Sequence, residues 1–163
     1  GATNGSPVPI EVSESKLPIL FKKSLLWTDS GGAGKWRGGL GYAAEVQWMG
    51  GECYGSFRRD RMKFKPWGIE GGHLATLCKT TIILKKKKVS MAVKIDHPLF
   101  KGDTIEIHTT GSGGFGDPAK REPLLVLEDL LNNKISKTAV REIYKVVIKN
   151  MKIDFKETTK LRK

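Results

Sequence analysis

Short apolar alternations, interrupted by proline and glycine, mark the first two thirds of the chain as extended structure. IEVSE (10–14) and LPILFKKSLL (17–26) show such alternation, bounded by Pro7, Pro9 and Pro18. TDSGGAGKWRGGLG (28–41) carries six glycines, a density that calls for turns and positive φ angles. YAAEVQWMG (42–50) reads as a strand and ECYGSFRRDR (52–61) as its hairpin partner, with Gly50-Gly51 as the tight turn. KPWGIEGG (65–72) is a second glycine-rich loop. HLATLCKTTIILKKKK and KKVSMAVKI add two extended stretches. In FKGDTIEIHTT, Lys101-Gly102-Asp103 make a turn, after which Ile105 and Ile107 alternate inward.

Beyond Pro118 the period changes. REPLLVLEDLLNNK places Leu124, Leu127, Leu130 and Leu131 at helical spacing, and Asn132 and Asn133 suit its end. Ser136 is an expected N-cap, and Val140, Ile143 and Tyr144 form the next apolar stripe. The tail reads as a strand, then a short helix with a basic end. There is no internal repeat and no low-complexity linker. The pattern predicts an α+β fold: a glycine-rich antiparallel β domain, barrel- or sandwich-like, over 1–117, followed by a short C-terminal helical segment over 118–163 packed on the same unit.

Composition narrows the class. The chain has 163 residues, enough for one domain with a core, and 39% are apolar, which excludes disorder throughout. No apolar run approaches the roughly 20 residues of a membrane span. The start, GATNGSPVPIEV, lacks a basic and apolar leader, so the expectation is a cytoplasmic protein. Cys53 and Cys78 form no C-x-x-C pair and read as free thiols. A zinc site combining them with His73 and either His97 or His108 matches no ligand spacing. The net charge is +12, mostly from scattered lysine. The dense run Lys85–Lys88 adjoins an alternating segment and reads as a solvated strand edge that resists aggregation. A basic nucleic-acid-binding module without catalysis is the alternative. Its weakness is that this run has no interleaved aromatics.

Two stretches suggest chemistry. In HTTGSGGFGDP (108–118), Gly111, Gly113 and Gly116 fit the G-x-G-x-x-G of dinucleotide turns. Such a turn needs a helix opening within the motif. Here Asp117 and Pro118 place the helix start after the glycines and put a carboxylate on the donors a phosphate would need. The glycines therefore serve a sharp bend or the close approach of another backbone. In FRRDRMKFKPWGIEGG, a strand through 55–61 would put Arg59 and Arg61 on one face, opposite Arg58 and Asp60. Such a pair can fork onto a carboxylate or phosphate, or equally pair with acids of a neighbouring subunit or cap a loop. Trp67, after proline, reads as a packing anchor. No H-x-x-x-H or H-E-x-x-H occurs, and the histidines fall in no nucleophile–base order.

Taken together, PVPIEVSESKLPILFKKSLLWTDSGGAGKWRGGLG, RRDRMKFKPWGIEGG and GDTIEIHTTGSGGFGDPAKREPLLVLEDLLNNKISKTAVREIYKVV resemble the C-terminal portion of the hydantoinase B family. This is the B-type, or alpha-type, subunit of ATP-dependent hydantoinases, 5-oxoprolinases and the acetone and acetophenone carboxylases. The glycine run G-S-G-G-F-G-D-P departs mildly from the family's G-G-G-G-Y-G-D-P. The resemblance implies a heteromeric enzyme. An A-type, actin-like ATPase subunit phosphorylates a small-molecule substrate, and the B-type subunit then hydrolyses or carboxylates the activated product. It further implies that this chain is a small subunit or a piece of a longer B-type polypeptide, not catalytic alone and binding no cofactor itself. ATP with magnesium and a catalytic divalent metal are expected on partner subunits. Family-motif positions carried over are Asp29, Ser30, Gly31, Gly32, Gly34, Arg37, Gly38, Gly39 and Gly41. Arg59, Asp60, Arg61, Pro66, Trp67, Gly68, Gly71 and Gly72 follow, then Gly113, Gly114, Gly116, Asp117 and Pro118. Of these, Arg59, Asp60, Arg61, Trp67, Gly68, Gly113, Gly114, Gly116 and Asp117 are the ligand or interface candidates, with the Arg59–Arg61 loop as anion-facing donors.

Overall fold

A computed structural model of the chain describes residues 8–84, 87–92 and 94–163. Lys85 and Lys86 of the lysine run therefore lie outside the described residues. The chain forms two compact units, each discontinuous in sequence. Unit 1 holds residues up to Ser24, Ala44–Arg58 and Thr80–Ile107; unit 2 holds Leu25–Ala43, Arg59–Lys79 and His108–Lys163. The helical segment thus shares its unit with the glycine loops.

Unit 1 contains helix α1 (Ile10–Lys16) and most of the β-structure. β1 (Ile19–Leu26), β2 (Tyr42–Trp48), β4 (Lys79–Leu84), β5 (Lys87–Ser90) and β7 (Thr104–His108) form a five-stranded sheet in the order β1-β2-β7-β4-β5. β3 (Cys53–Arg58) pairs antiparallel with β6 (Lys94–Leu99), Cys53 opposite Leu99 and Arg58 opposite Lys94. Phe57, Ile82, Met91 and Leu99 form the buried core, with Trp48, Ile95 and Ile105 half-buried against it. β5 is a sheet edge. Its exposed Lys87 and Lys88 occupy that edge as expected, and Lys88 Nζ sits 2.9 Å from Glu106 Oε1.

The α+β class stands, but three expectations for this region change. Among the described residues the sheet ends at β1 and β5, with no pairing that closes it into a barrel. Residues 10–14 are helical. Over five residues the alternation cannot separate the two periods, and Glu11 in the first turn with Lys16 in the last suits the helix dipole. β3 is not the hairpin partner of β2, whose neighbours are β1 and β7. A diglycine signals a turn, but it does not say which strand follows in the sheet.

Unit 2 holds α2 (Pro123–Leu131), α3 (Lys137–Glu142), the small hairpin β8 (Ile148–Lys149)–β9 (Lys152–Ile153) and α4 (Phe155–Leu161). Its core is Ala33, Val126, Ile135, Ala139, Val140, Tyr144 and Val146. Ser136 caps α3, its Oγ accepting from Ala139 N at 3.1 Å, and Val140 and Tyr144 are buried as expected. In α2 the buried positions are Val126 and Asp129, whereas Leu124 and Leu131 are exposed. Of the leucine stripe, Leu130 packs on the core, while an ion pair at Asp129 rather than a leucine holds the centre of the inner face.

Candidate functional site

Unit 2 is built around three glycine-rich segments packed main chain on main chain. A Cβ on Gly113 would fall 1.7 Å from the Trp67 carbonyl oxygen, and one on Gly114 2.0 Å from that of Ala33. At Gly38 the obstacle is the Ser112 oxygen at 1.9 Å, and at Gly68 the Gly72 oxygen at 2.1 Å. These separations exclude any side chain. Hydrogen bonds knit the segments: Gly32 N to Ser112 O at 2.8 Å, Ser112 N to Gly39 O at 2.9 Å, His73 N to Ala33 O at 2.7 Å and Gly114 N to His73 O at 3.0 Å. No glycine between 31 and 41 has a positive φ. The left-handed residue there is Asp29, at φ 59°, and Gly71 and Gly116 take that conformation in the other two segments. Five of the six glycines of 28–41, all but Gly39, therefore serve close approach, not the turns expected of them.

The cluster is pinned to the helices by a buried charge. Asp129, 3% exposed, receives Arg37 Nε on Oδ2 at 3.0 Å and Arg121 Nη2 on the same oxygen at 2.9 Å. Arg37 Nη1 also donates to Gly38 O, and Arg121 Nη1 to Lys35 O, so both guanidinium groups hold loop carbonyls as well. Buried Ser30 accepts from Gly41 N at 2.7 Å, and Asp29 Oδ1 accepts from Ser136 N at 2.8 Å. These are positioning roles for Asp29, Ser30 and Arg37.

The second motif takes a different shape from the one expected. β3 ends at Arg58, which pairs with Asp96 at 3.0 Å on the surface. Arg61 lies beyond the strand at φ 57°, so Arg59 and Arg61 do not share a strand face. Arg61 instead places its guanidinium 5.5 Å from the centre of the Trp67 ring. Trp67 is 65% exposed and is not a packing anchor. Asp60 is exposed, and Arg59 is half-buried near Cys78. Burial pushes the Cys78 thiol up; Arg59 pulls it down and Asp60 adds to the rise. Both cysteines are free thiols. Arg61, Lys63, Phe64, Lys65, Trp67 and Leu74 line an open groove of about 600 Å³.

Gly113, Gly114 and Gly116 lie in the cluster, and Gly68 packs against Gly72 within it. Asp117 caps the 3-10 turn Pro118–Lys120, its Oδ1 accepting from Ala119 N at 2.9 Å. The carboxylate thus occupies the donors that a phosphate would need. Sequence reasoning missed the exposed apolar row Trp36, Ile69 and Phe115, and also the Arg37–Asp129–Arg121 triad. The signal for the triad was an aspartate three positions after Val126, on the apolar side of its helix. Among the described residues, no three His, Cys, Asp or Glu side chains gather as a metal would require, and no helix is long and apolar enough to cross a membrane.

The model of the Hydantoinase B/oxoprolinase family matches residues 1–118, and the chain belongs to that family. It corresponds to a C-terminal portion of longer relatives. An uncharacterized protein of Methanocaldococcus jannaschii is 41% identical over 158 residues, covering 94% of this chain and 28% of its own length. The B subunit of a putative D-/L-hydantoinase from a Pseudomonas species is 32% identical over 161 residues, covering 95% of this chain and 27% of its own. The nucleotide-free structure of an acetone carboxylase superposes with a TM-score of 0.82 at 21% identity, over 97% of this chain and 26% of that one, a likeness of fold. The chain therefore spans about a quarter of the length of each of these three proteins.

Proposed function

We propose that this chain is a small subunit, or a C-terminal portion, of the B-type subunit of a heteromeric ATP-dependent enzyme that opens a cyclic amide of the hydantoin or oxoproline type. The observation that carries this reading is the 32% identity, across 95% of the chain, to a protein named as the B subunit of a putative hydantoinase. In this reading an A-type partner binds ATP and magnesium and phosphorylates the substrate. A divalent metal and the hydrolytic groups sit on the longer B-type segment. This chain contributes a rigid platform: glycine-tight loops, braced by Asp129 between two arginines, that present Trp67 and Arg61 to a neighbour. Carboxylation of a ketone is the other chemistry open to such a complex. Neither the fold nor the relatives support a basic nucleic-acid-binding module.

The test is reconstitution. A-type and B-type chains are assayed with and without this chain for ATP-dependent ring opening of hydantoin, 5-oxoproline and caprolactam. The reading expects ring opening, coupled to ADP formation, only when the chain is present. Full activity without it would defeat the reading. Turnover of acetone with a carbon dioxide source and no ring opening would move the assignment to carboxylation.

A further inference from the structure

The glycine cluster carries an apolar ridge on its surface. Trp36 is bridged antiparallel to Phe115, and Phe115 is bridged parallel to Ile69. The bridges are closed by Trp36 N to Phe115 O at 3.0 Å, Phe115 N to Trp36 O at 2.9 Å, and Gly116 N to Ile69 O at 2.9 Å. Residues paired in this way direct their side chains to one face. All three stay open to solvent: Trp36 is 59% exposed, Ile69 55% and Phe115 48%. Two residues before Ile69 stands Trp67, which lines the open groove with Phe64, 78% exposed, and Leu74, 57% exposed. Six large apolar side chains concentrated in this way differ from the scattered single exposures of an ordinary surface. The groove is also basic. Arg61, Lys63 and Lys65 line it, and among the described residues none of the three has an ion-pair partner.

The geometry points to one occupant. We propose that this ridge and groove are the docking surface for the remainder of the B-type polypeptide, the part equivalent to the three quarters of its relatives that this chain does not span. The proposal rests on the B-type reading given above. The docking segment places an apolar stretch over Trp36, Phe115 and Ile69, and carboxylates against Arg61, Lys63 and Lys65. The fixed main chain beneath the ridge means that these aromatics are held in place before the partner arrives, so little ordering is lost on docking. The cations supply steering and register around an aromatic centre that supplies most of the affinity.

The test uses the whole chain and the N-terminal three quarters of the B-type subunit supplied as a separate tagged polypeptide, with association measured by calorimetry or interferometry. Two variants carry it, W36S/F115S and K63E/K65E. The exposed pair Lys22 and Lys23, changed to K22E/K23E, is the charge-matched control. Circular dichroism checks that each variant is folded. The proposal expects W36S/F115S to weaken association about 100-fold. It expects K63E/K65E to weaken it about tenfold, with a flatter dependence on salt, and K22E/K23E to leave it unchanged. If W36S/F115S does not fold, K63E/K65E alone decides. Wild-type affinity in K63E/K65E, with the complex still forming, would place the docking surface elsewhere and leave the B-type reading intact. No association of the wild-type chain at all would remove that reading itself.

Discussion

Gly113→Ala is the sharpest perturbation of the platform. A Cβ at this position would lie 1.7 Å from the Trp67 carbonyl oxygen, 2.4 Å from its carbon and 2.9 Å from Gly68 N, all main-chain atoms. Real Cβ contacts do not fall below 3.0 Å, so the 66–73 segment must retreat by more than an ångström. That retreat breaks the hydrogen bonds around the crossing: Ile69 N to Gly114 O at 2.9 Å, Gly114 N to His73 O at 3.0 Å and Gly116 N to Ile69 O at 2.9 Å. Overpacking costs about 1–3 kcal/mol. Three hydrogen bonds at about 0.5–1.5 kcal/mol each add a similar amount. The total, about 2.5–7.5 kcal/mol, is a large fraction of a typical domain's stability of about 5–15 kcal/mol. Gly39→Ala is the control: its nearest neighbour is Ser112 Oγ at 3.7 Å and its φ is not positive, so it should stabilise by about 0.4–1 kcal/mol. Urea unfolding followed by tryptophan fluorescence measures both. A Gly113→Ala midpoint matching wild type would refute the idea that the glycines exist for backbone contact.

Three further outcomes are expected. Asp129→Ala strands the buried Arg121 guanidinium and the half-buried Arg37 one and should cost about 3–5 kcal/mol in the same unfolding assay, whereas losing only the exposed Arg58–Asp96 pair through Asp96→Ala should cost less than about 1 kcal/mol. Burial pushes the Tyr144 phenol up to about 12. The folded state therefore holds that proton more tightly than the unfolded chain, and the stability this gives is whole below pH 10 and lost as pH rises to about 12. Across that window wild type should lose about 2–3 kcal/mol more than Tyr144→Phe, read as thermal midpoints against pH. Ser136→Ala removes the cap of α3 and should cost about 1 kcal/mol, with Ser136→Asp retaining most of it.

Local signals carried much of this fold. Ser136 and Asp117 were legible as caps because a short side-chain acceptor before a helical run has one strong use. The lysine edge was legible because charge beside an alternating strand suits the border of a sheet. The failures share one cause, non-local pairing. Nothing within ECYGSFRRDR says that it pairs with KIDHPL instead of YAAEVQW. The leucine period in α2 could not reveal that Arg37, far away in sequence, would draw Asp129 inward. The glycine segments were recognisable, but a glycine spared for close approach looks the same as one spared for positive φ. Trp67 was misjudged for the same reason: its neighbours in sequence suggest packing, whereas its main chain packs on Gly113 and its ring stays 65% exposed, 5.5 Å from the Arg61 guanidinium.

If other polypeptide completes this platform, the chain should be found bound rather than free. Native mass spectrometry of the chain, co-expressed with A-type and longer B-type chains, reads that outcome without an assay of turnover. One stable assembly containing all three is expected, from which this chain is not lost at moderate salt. A chain recovered free of both others, and opening a cyclic amide alone, would contradict it.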